Sequence, residues 1–250
     1  MEPQTGHIKA WVGGINYKHF KYDHVKQGVR QPGSTFKPFL YTAAIENGYY
    51  PCYEVIDAQV CVPLPDGNMW CPNNSDNKYS GEKFTLRKAL AESVNSISAY
   101  LVNKLGPETL VQTAKRMGIS TPLDPTPSLA LGTSDVSLFD MVGAYGTFVN
   151  GGTWVEPNFI TRIEDKHGNV LYEHAPKTVE ALSEETAYLM VHMLKAAAEP
   201  GGTAYYGLRH RNGLKNEIGA KTGTTQNQSD AWFMGLTPNL VCGTWVGGED

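Results

Sequence analysis

The apolar residues of this chain keep two different periods. Near both ends they alternate: Ile8, Ala10 and Val12 within Thr5 to Gly14, then Gly219 to Thr225, Ala231 to Leu236 and Val241 to Val246. Alternation places successive side chains on opposite faces, as in half-buried strands. Between them the spacing is helical, with Phe36, Phe39, Leu40, Ala43 and Ala44 in a segment from Ser34 to Asn47-Gly48, and Leu86, Leu90, Val94, Ile97 and Leu101 from Thr85 to Asn103. Further helices are expected over Pro107 to Met117, Ser134 to Phe148 and Ser183 to Glu199. Such elements bury their apolar faces as a sheet covered by helices, so the expected fold class is α+β. The sheet is mainly antiparallel and flanked by helices, with a helical subdomain of about 49–150 inserted between sheet-forming segments 1–48 and 151–250.

Local signals refine this outline. Pro38 biases Lys37 away from helical geometry and is tolerable only in a first helical turn. The register of the second helix is interrupted around Ser93. Asp165-Lys166-His167-Gly168-Asn169 between Phe159 to Ile163 and Val170 to Tyr172 reads as a hairpin. Tyr49 to Phe84 is rich in Pro, Asn, Asp, Cys and Tyr without a period, a long connection of the kind that lines a site.

Composition narrows the function. Across 250 residues the formal charge is -4, which gives no footprint for a phosphate backbone, so no nucleic-acid partner is expected. The most apolar stretch, Val136 to Val149, is broken by Asp140 and two glycines and falls short of the roughly 20 residues of a spanning helix. The opening Met-Glu-Pro-Gln-Thr-Gly lacks a secretory leader pattern and reads as an excision boundary. Cys52, Cys61, Cys71 and Cys242 are too unevenly spaced for a zinc ribbon, leaving buried thiols or one disulfide. The seven histidines form no ligand spacing, so neither metal nor cofactor is expected.

Three short strings carry chemistry. In Ser34-Thr35-Phe36-Lys37 a hydroxyl and an amine three residues apart share one helix face, making Ser34 a candidate nucleophile and Lys37 its base. In Ser93-Val94-Asn95 the hydroxyl can relay a proton while the Asn95 amide holds a carbonyl. In Lys221-Thr222-Gly223-Thr224 a cation and two hydroxyls suit a carboxylate, and an exposed strand edge can take an extended peptide, with the Thr224 N–H as an oxyanion donor. Each string alone has a plainer meaning: a helix N-cap and a solvated lysine, a polar turn between helices, a sheet edge with a surface lysine.

Together and in this order they match the Ser-x-x-Lys, Ser-x-Asn and Lys-Thr-Gly set of penicillin-binding proteins and class A β-lactamases. Arg30 to Pro38 and Ala220 to Thr225 resemble the transpeptidase domain of class A, bifunctional penicillin-binding proteins, as do Asp230-Ala231-Trp232-Phe233, Trp245-Val246-Gly247-Gly248, Ser128 to Gly132 and Asn150-Gly151-Gly152. The resemblance implies a serine acyltransferase that attacks the D-Ala-D-Ala end of a peptidoglycan stem peptide, releases D-Ala and passes the acyl group to an amine on a neighbouring strand. β-Lactams would acylate the same serine. It also implies a parent chain with a glycosyltransferase domain and a membrane anchor, at the periplasmic or extracytoplasmic face of the bacterial inner membrane. Residues 1–250 are then one transpeptidase domain, incomplete at both ends, with a missing terminal strand expected beside Thr5 to Gly14. A β-lactamase would need a carboxylate to activate deacylating water, and Pro122 to Gly132 offers only Asp124. The same three strings would also suit a D,D-carboxypeptidase or a non-catalytic sensor acylated by β-lactams.

Overall fold

The computed structural model describes residues 1–16, 18–225 and 228–248. A short strand β1 (Val29–Arg30) leads to a 3-10 turn, Gly33–Phe36, that runs into α1 (Lys37–Glu46). Pro38 sits in the first turn of α1, where its missing N–H has no helical partner to lose. Ser34 therefore lies in the 3-10 turn, before the α-helix proper, and its side chain caps neither element. Gly48, at φ +87°, takes the left-handed conformation just past the helix end.

Tyr49 to Phe84 is more ordered than its composition suggests. It carries β2 (Glu54–Ile56), β3 (Val62–Pro63) and β4 (Met69–Trp70), and β5 (Lys83–Thr85) closes it. The antiparallel pairs β2–β5 and β3–β4 are too short to show a period in sequence. A disulfide joins Cys61 to Cys71 across β3–β4, while Cys52 and Cys242 are free and exposed.

The helical block follows. Thr85 caps α2 (Leu86–Ala91) by accepting from the Lys88 N–H, and α3 (Asn95–Leu105) begins after a break at Ser93, whose φ is +60°. α4 (Pro107–Arg116) has Pro107 and Glu108 at its start and Lys115 and Arg116 at its end, in keeping with the helix dipole. β6 (Val136–Ser137) pairs with β1, and α5 (Leu138–Val149) follows, capped by Ser137. Next come β7 (Thr153–Val155), the hairpin β8 (Arg162–Glu164) and β9 (Val170–Glu173), and β10 (Thr178–Glu180), which pairs with β7. Ser183 caps α6 (Glu184–Lys195), which a 3-10 turn, Ala196–Ala198, extends.

The main sheet is antiparallel, in the order β11 (Gly219–Thr224), β12 (Asp230–Thr237) and β13 (Leu240–Gly247), so β11 presents an edge. One apolar cluster runs from Phe36 on the 3-10 turn through the helices to Val241 on β13. α1 lies at its centre, with Lys37 to Ala44 all buried, as expected of a helix surrounded on every side.

The expectation of a sheet built from both termini needs correction. Thr5 to Gly14 is not a strand; its ladder contact is one isolated bridge, His7 to Asn158. The N-terminus makes main-chain hydrogen bonds to β13 at Met1, where Met1 N donates to Val241 O and Val241 N donates to Met1 O, and Gln4 Nε2 donates to Pro238 O in the β12–β13 turn. Beyond these contacts the segment faces β13 across a gap, Ile8 to Val12 and Leu240 to Trp245 lining one cavity of about 510 Å³, and alternation without a paired neighbour does not make a strand: Val12 is 79% exposed.

The 3-10 turn is pressed onto β11 through glycines. Gly33 has φ +54°, and a Cβ there would lie 2.7 Å from Thr224 O; one on Gly223 would lie 2.5 Å from Pro32 O. Gly48 shares the positive φ but has open space around it. Gly48→Ala is therefore expected to cost about 1 kcal/mol, the price of a left-handed L-residue alone, and Gly33→Ala clearly more. Urea denaturation of the two variants checks this, and equal losses would show that the turn and strand can separate freely.

Candidate active site

Lys37 opens α1 and is fully buried, because the helix it begins is enclosed by others. Its Nζ donates to Ser93 O at 2.6 Å, Asn95 Oδ1 at 2.7 Å and Ser93 Oγ at 3.2 Å. Lys221, equally buried in the middle of β11, donates to the same Ser93 Oγ at 2.9 Å and to Thr222 O at 2.9 Å. The three strings thus converge on one hydroxyl. Ser93 reaches it because the break between α2 and α3 holds its backbone in the left-handed region, turning the corner toward both amines.

Neither amine forms an ion pair among the described residues, and this sets the electrostatics. Burial pushes the Lys37 amine well below its ordinary value, and the charge of Lys221 pushes it further down. Burial alone brings Lys221 to about 7. A neutral Lys37 amine has two N–H groups, for Ser93 O and Asn95 Oδ1, so its lone pair meets the longest contact, Ser93 Oγ at 3.2 Å, and can take a proton, while Lys221 is poised to carry charge.

Ser34 is half-buried at the mouth of this centre. It faces a cleft of about 600 Å³ whose lining includes Trp70, Asn73, Asn95, Gly132 and Thr224. The Lys37 N–H donates to Ser34 O, so the two residues span one 3-10 turn, in which positions i and i+3 eclipse. The shared face expected from an α-helix is therefore supplied by the 3-10 turn. The Lys37 amine bonds Ser93 and Asn95 rather than the Ser34 hydroxyl. Beneath the turn, buried Tyr145 donates to Thr35 O at 2.6 Å, and Thr35 Oγ1 donates to Pro32 O at 2.7 Å.

On β11, Lys221 and Gly223 are buried while Thr222 and Thr224 are more open, as strand alternation requires. The Thr222 hydroxyl donates to Thr203 Oγ1 at 2.8 Å. Thr203 carries no sequence signal of its own; the Pro200-Gly201-Gly202 turn after α6 brings it there, and a turn signal marks a bend without saying what it faces. Asn73 and Asn74 likewise do not stand out individually in the sequence. Asn95 Nδ2 donates to Asn73 O at 2.8 Å, and Asn74 Oδ1 accepts from Asn95 N at 2.9 Å. The candidates Ser34, Lys37, Ser93, Asn95, Lys221, Thr222, Gly223 and Thr224 thus meet at one cleft and the corner behind it. The plainer readings of Ser34 as a helix cap and of both lysines as solvated side chains do not hold.

A family model described as the penicillin binding protein transpeptidase domain matches residues 1–241. Penicillin-binding protein 2D of Bacillus subtilis (strain 168) is 36% identical over 251 residues, covering 99% of this chain and 36% of its own length. Penicillin-binding protein 1A of Aquifex aeolicus is 39% identical over 250 residues, covering 99% of this chain and 33% of its own. The chain therefore spans about a third of the length of these relatives. Among solved structures, penicillin-binding protein 1A from Haemophilus influenzae superposes with a TM-score of 0.91 at 30% identity, over all of this chain and 42% of the other. The PonA1 protein from Mycobacterium tuberculosis in complex with penicillin V gives 0.84 at 25% identity, covering 99% and 67%.

Two lysines buried without acids leave a mark on stability. Between about pH 7 and the ordinary lysine value near 10.4 the unfolded chain holds a proton on Lys221 that the folded chain has lost, so stability rises with pH across that window. A full proton of difference is worth about 1.4 kcal/mol per pH unit. Urea denaturation from pH 7 to 9.5 is expected to show Lys221→Met with a shallower rise than the parent chain; parallel curves would mean that Lys221 keeps its proton when folded.

Proposed function

We propose, from the premise that this chain belongs to the penicillin-binding protein transpeptidase family, that it is a D,D-transpeptidase unit acting through an acyl-serine at Ser34. The observation that carries this reading is the pair of buried lysine amines converging on Ser93 Oγ behind Ser34. Ser34 Oγ attacks the carbonyl of the penultimate D-Ala, and its proton passes to the neutral amine of Lys37. The oxyanion takes the N–H groups of Ser34 and Thr224, a role supported by the close approach of Gly33, next to Ser34, to Thr224. Ser93, bonded to both amines, then delivers a proton to the departing nitrogen, so that D-Ala leaves as the amine and the acyl group stays on Ser34. An amine of a neighbouring stem peptide attacks the ester, gives up its proton through the same relay and frees the serine.

Binding follows the same geometry. One N–H of the Asn95 amide is taken by Asn73 O, and the other is available to a substrate carbonyl. Lys221 with the Thr222 and Thr224 hydroxyls takes the terminal carboxylate of D-Ala or of a β-lactam, and the free edge of β11 takes the extended peptide. Hydrolysis of β-lactams is disfavoured: among the described residues the cleft lining has no Asp or Glu, and Asp124 is exposed outside it. We read the chain as one domain of a larger, membrane-anchored extracytoplasmic protein with a glycosyltransferase domain. No helix among the described residues is long and apolar enough to cross a membrane.

Intact mass and peptide mapping after exposure to a labelled penicillin are expected to place one adduct on Ser34 that persists for hours. Ser34→Ala should abolish it, and labelling that maps elsewhere would overturn the mechanism. Lys37→Arg keeps the charge but cannot deprotonate, so its acylation should fall by orders of magnitude; a near-normal rate would remove Lys37 as the base.

Carboxylate recognition has its own signature. Thr224→Val should cost about 1 to 3 kcal/mol in acylation by a carboxylate-bearing β-lactam and much less for its amide. For the acid, kcat/KM should decline as pH rises through about 7, because Lys221 of the free enzyme loses its proton there, while neutral Lys37 sets the rise on the acidic side. The amide should lack that decline. Matching profiles for acid and amide would assign the lysine and the threonine to shaping the strand.

A further inference from the structure

The start of α3 is held from outside the helix. Val94, its N-cap residue, offers no side-chain hydrogen bond, which leaves the first N–H groups to find other partners. Asn74 supplies one: its Oδ1 accepts from Asn95 N at 2.9 Å and Ser96 N at 3.1 Å. Its Nδ2 donates to Asp57 Oδ1 at 2.8 Å and to Lys78 O at 2.9 Å.

Asp57 is only 4% exposed, and every polar group found on its carboxylate is a donor: Asn74 Nδ2, Ser96 Oγ at 2.6 Å, Ser80 N at 2.8 Å and Ser80 Oγ at 2.9 Å. Burial works against the charge, but these hydrogen bonds outweigh it and hold the carboxyl below its usual value. A fixed acceptor with that many donors leaves the Asn74 amide one orientation. Its NH2 must face Asp57, and its oxygen must therefore face α3.

The neighbouring residue completes the clamp. Asn73 O accepts from Asn95 Nδ2 while Lys37 donates to Asn95 Oδ1, so the Asn95 amide is also fixed end for end. Asn73 and Asn74 follow closely on Cys71, which the disulfide ties to Cys61. The Cys61–Cys71 loop therefore reaches the catalytic corner through two successive asparagines.

We propose that Asn74 is a positioning residue of this centre: anchored on buried Asp57, it caps α3 from outside and thereby sets Ser93 and Asn95 against Lys37. This rests on the acyl-serine reading above. It assigns to the 57–80 segment a part in acylation as well as in lining the cleft.

The test measures the second-order rate of labelling by a fluorescent penicillin, per folded molecule and across pH, together with urea stability. Asn74→Ala is expected to slow acylation at least tenfold. It should also move the acidic limb of the pH profile upward, because a loosened corner lets water back to Lys37, whose low value rests mainly on burial. A residue with a purely structural role would lower stability and leave the rate per folded molecule and its pH limb in place, and that result overturns the proposal.

Asn74→Asp sets two carboxylates against each other and should be as slow. The exchange Asp57→Asn with Asn74→Asp restores one acceptor and one donor and should recover the rate to within about threefold. If Asn74→Ala does not fold, an exchange variant that folds but labels no faster than Asn74→Asp overturns the proposal. Parent chain that takes no label at Ser34 overturns the acyl-serine reading itself, a result distinct from either.

Discussion

A lysine amine taken out of water without a counter-charge is costly unless it gives up its proton. Lys37 and Lys221 are both fully buried, and the partners of their amines are hydroxyl, carbonyl and amide oxygens. Two neighbouring ammonium groups repel, so the favourable state has one neutral amine, and a neutral amine beside a hydroxyl is a base ready to act. The same constraint accounts for what surrounds it. α1 must be enclosed for Lys37 to be desolvated, and Ser93 must leave helical geometry for one hydroxyl to meet both amines.

Backbone proximity is the second requirement, and glycine supplies it. The 3-10 turn carrying Ser34 lies against β11 so closely that side chains at Gly33 or Gly223 would meet main-chain atoms of the other segment. Gly132 adds a contact from the far side, its carbonyl accepting from Gly33 N at 3.3 Å. Where the lysines set the protonation state, the glycines set where the nucleophile stands relative to the strand edge.

These two devices belong to different parts of the chain, and a third joins them. The Ser93 corner depends on the start of α3, which carries no cap of its own and is satisfied by a loop upstream. That loop is closed by a disulfide and anchored by a buried carboxylate. An Asn-rich connection is thus tied to the buried polar groups behind Ser34.

Much of this was legible in sequence for physical reasons. α4, α6 and the C-terminal strands bury one face each, so their apolar period is imposed by the core and visible without it, while enclosed α1 shows as an apolar run. The break at Ser93 was visible because a helical register cannot pass through it unmarked. Ser34, Lys37, Ser93, Asn95 and Lys221 to Thr224 stood out because their types and local spacing are themselves the chemistry. What depended on distant partners was not legible. Thr5 to Gly14 alternates as a strand does, but a strand needs a neighbour, and after one reciprocal pair at Met1 the segment and β13 face each other across a cavity. The pairing of Cys61 with Cys71 depends on a hairpin of two-residue strands, too short to leave a pattern. Asn73, Asn74, Asp57 and Thr203 are ordinary polar residues outside helices and strands, and only the fold decides which of them meet the catalytic corner. Sequence determined which residues can do chemistry and which faces must be buried, because both are properties of side chains and their local spacing. Tertiary structure alone decided which amines lose their water and which oxygens receive them, because desolvation is a property of everything packed around a group.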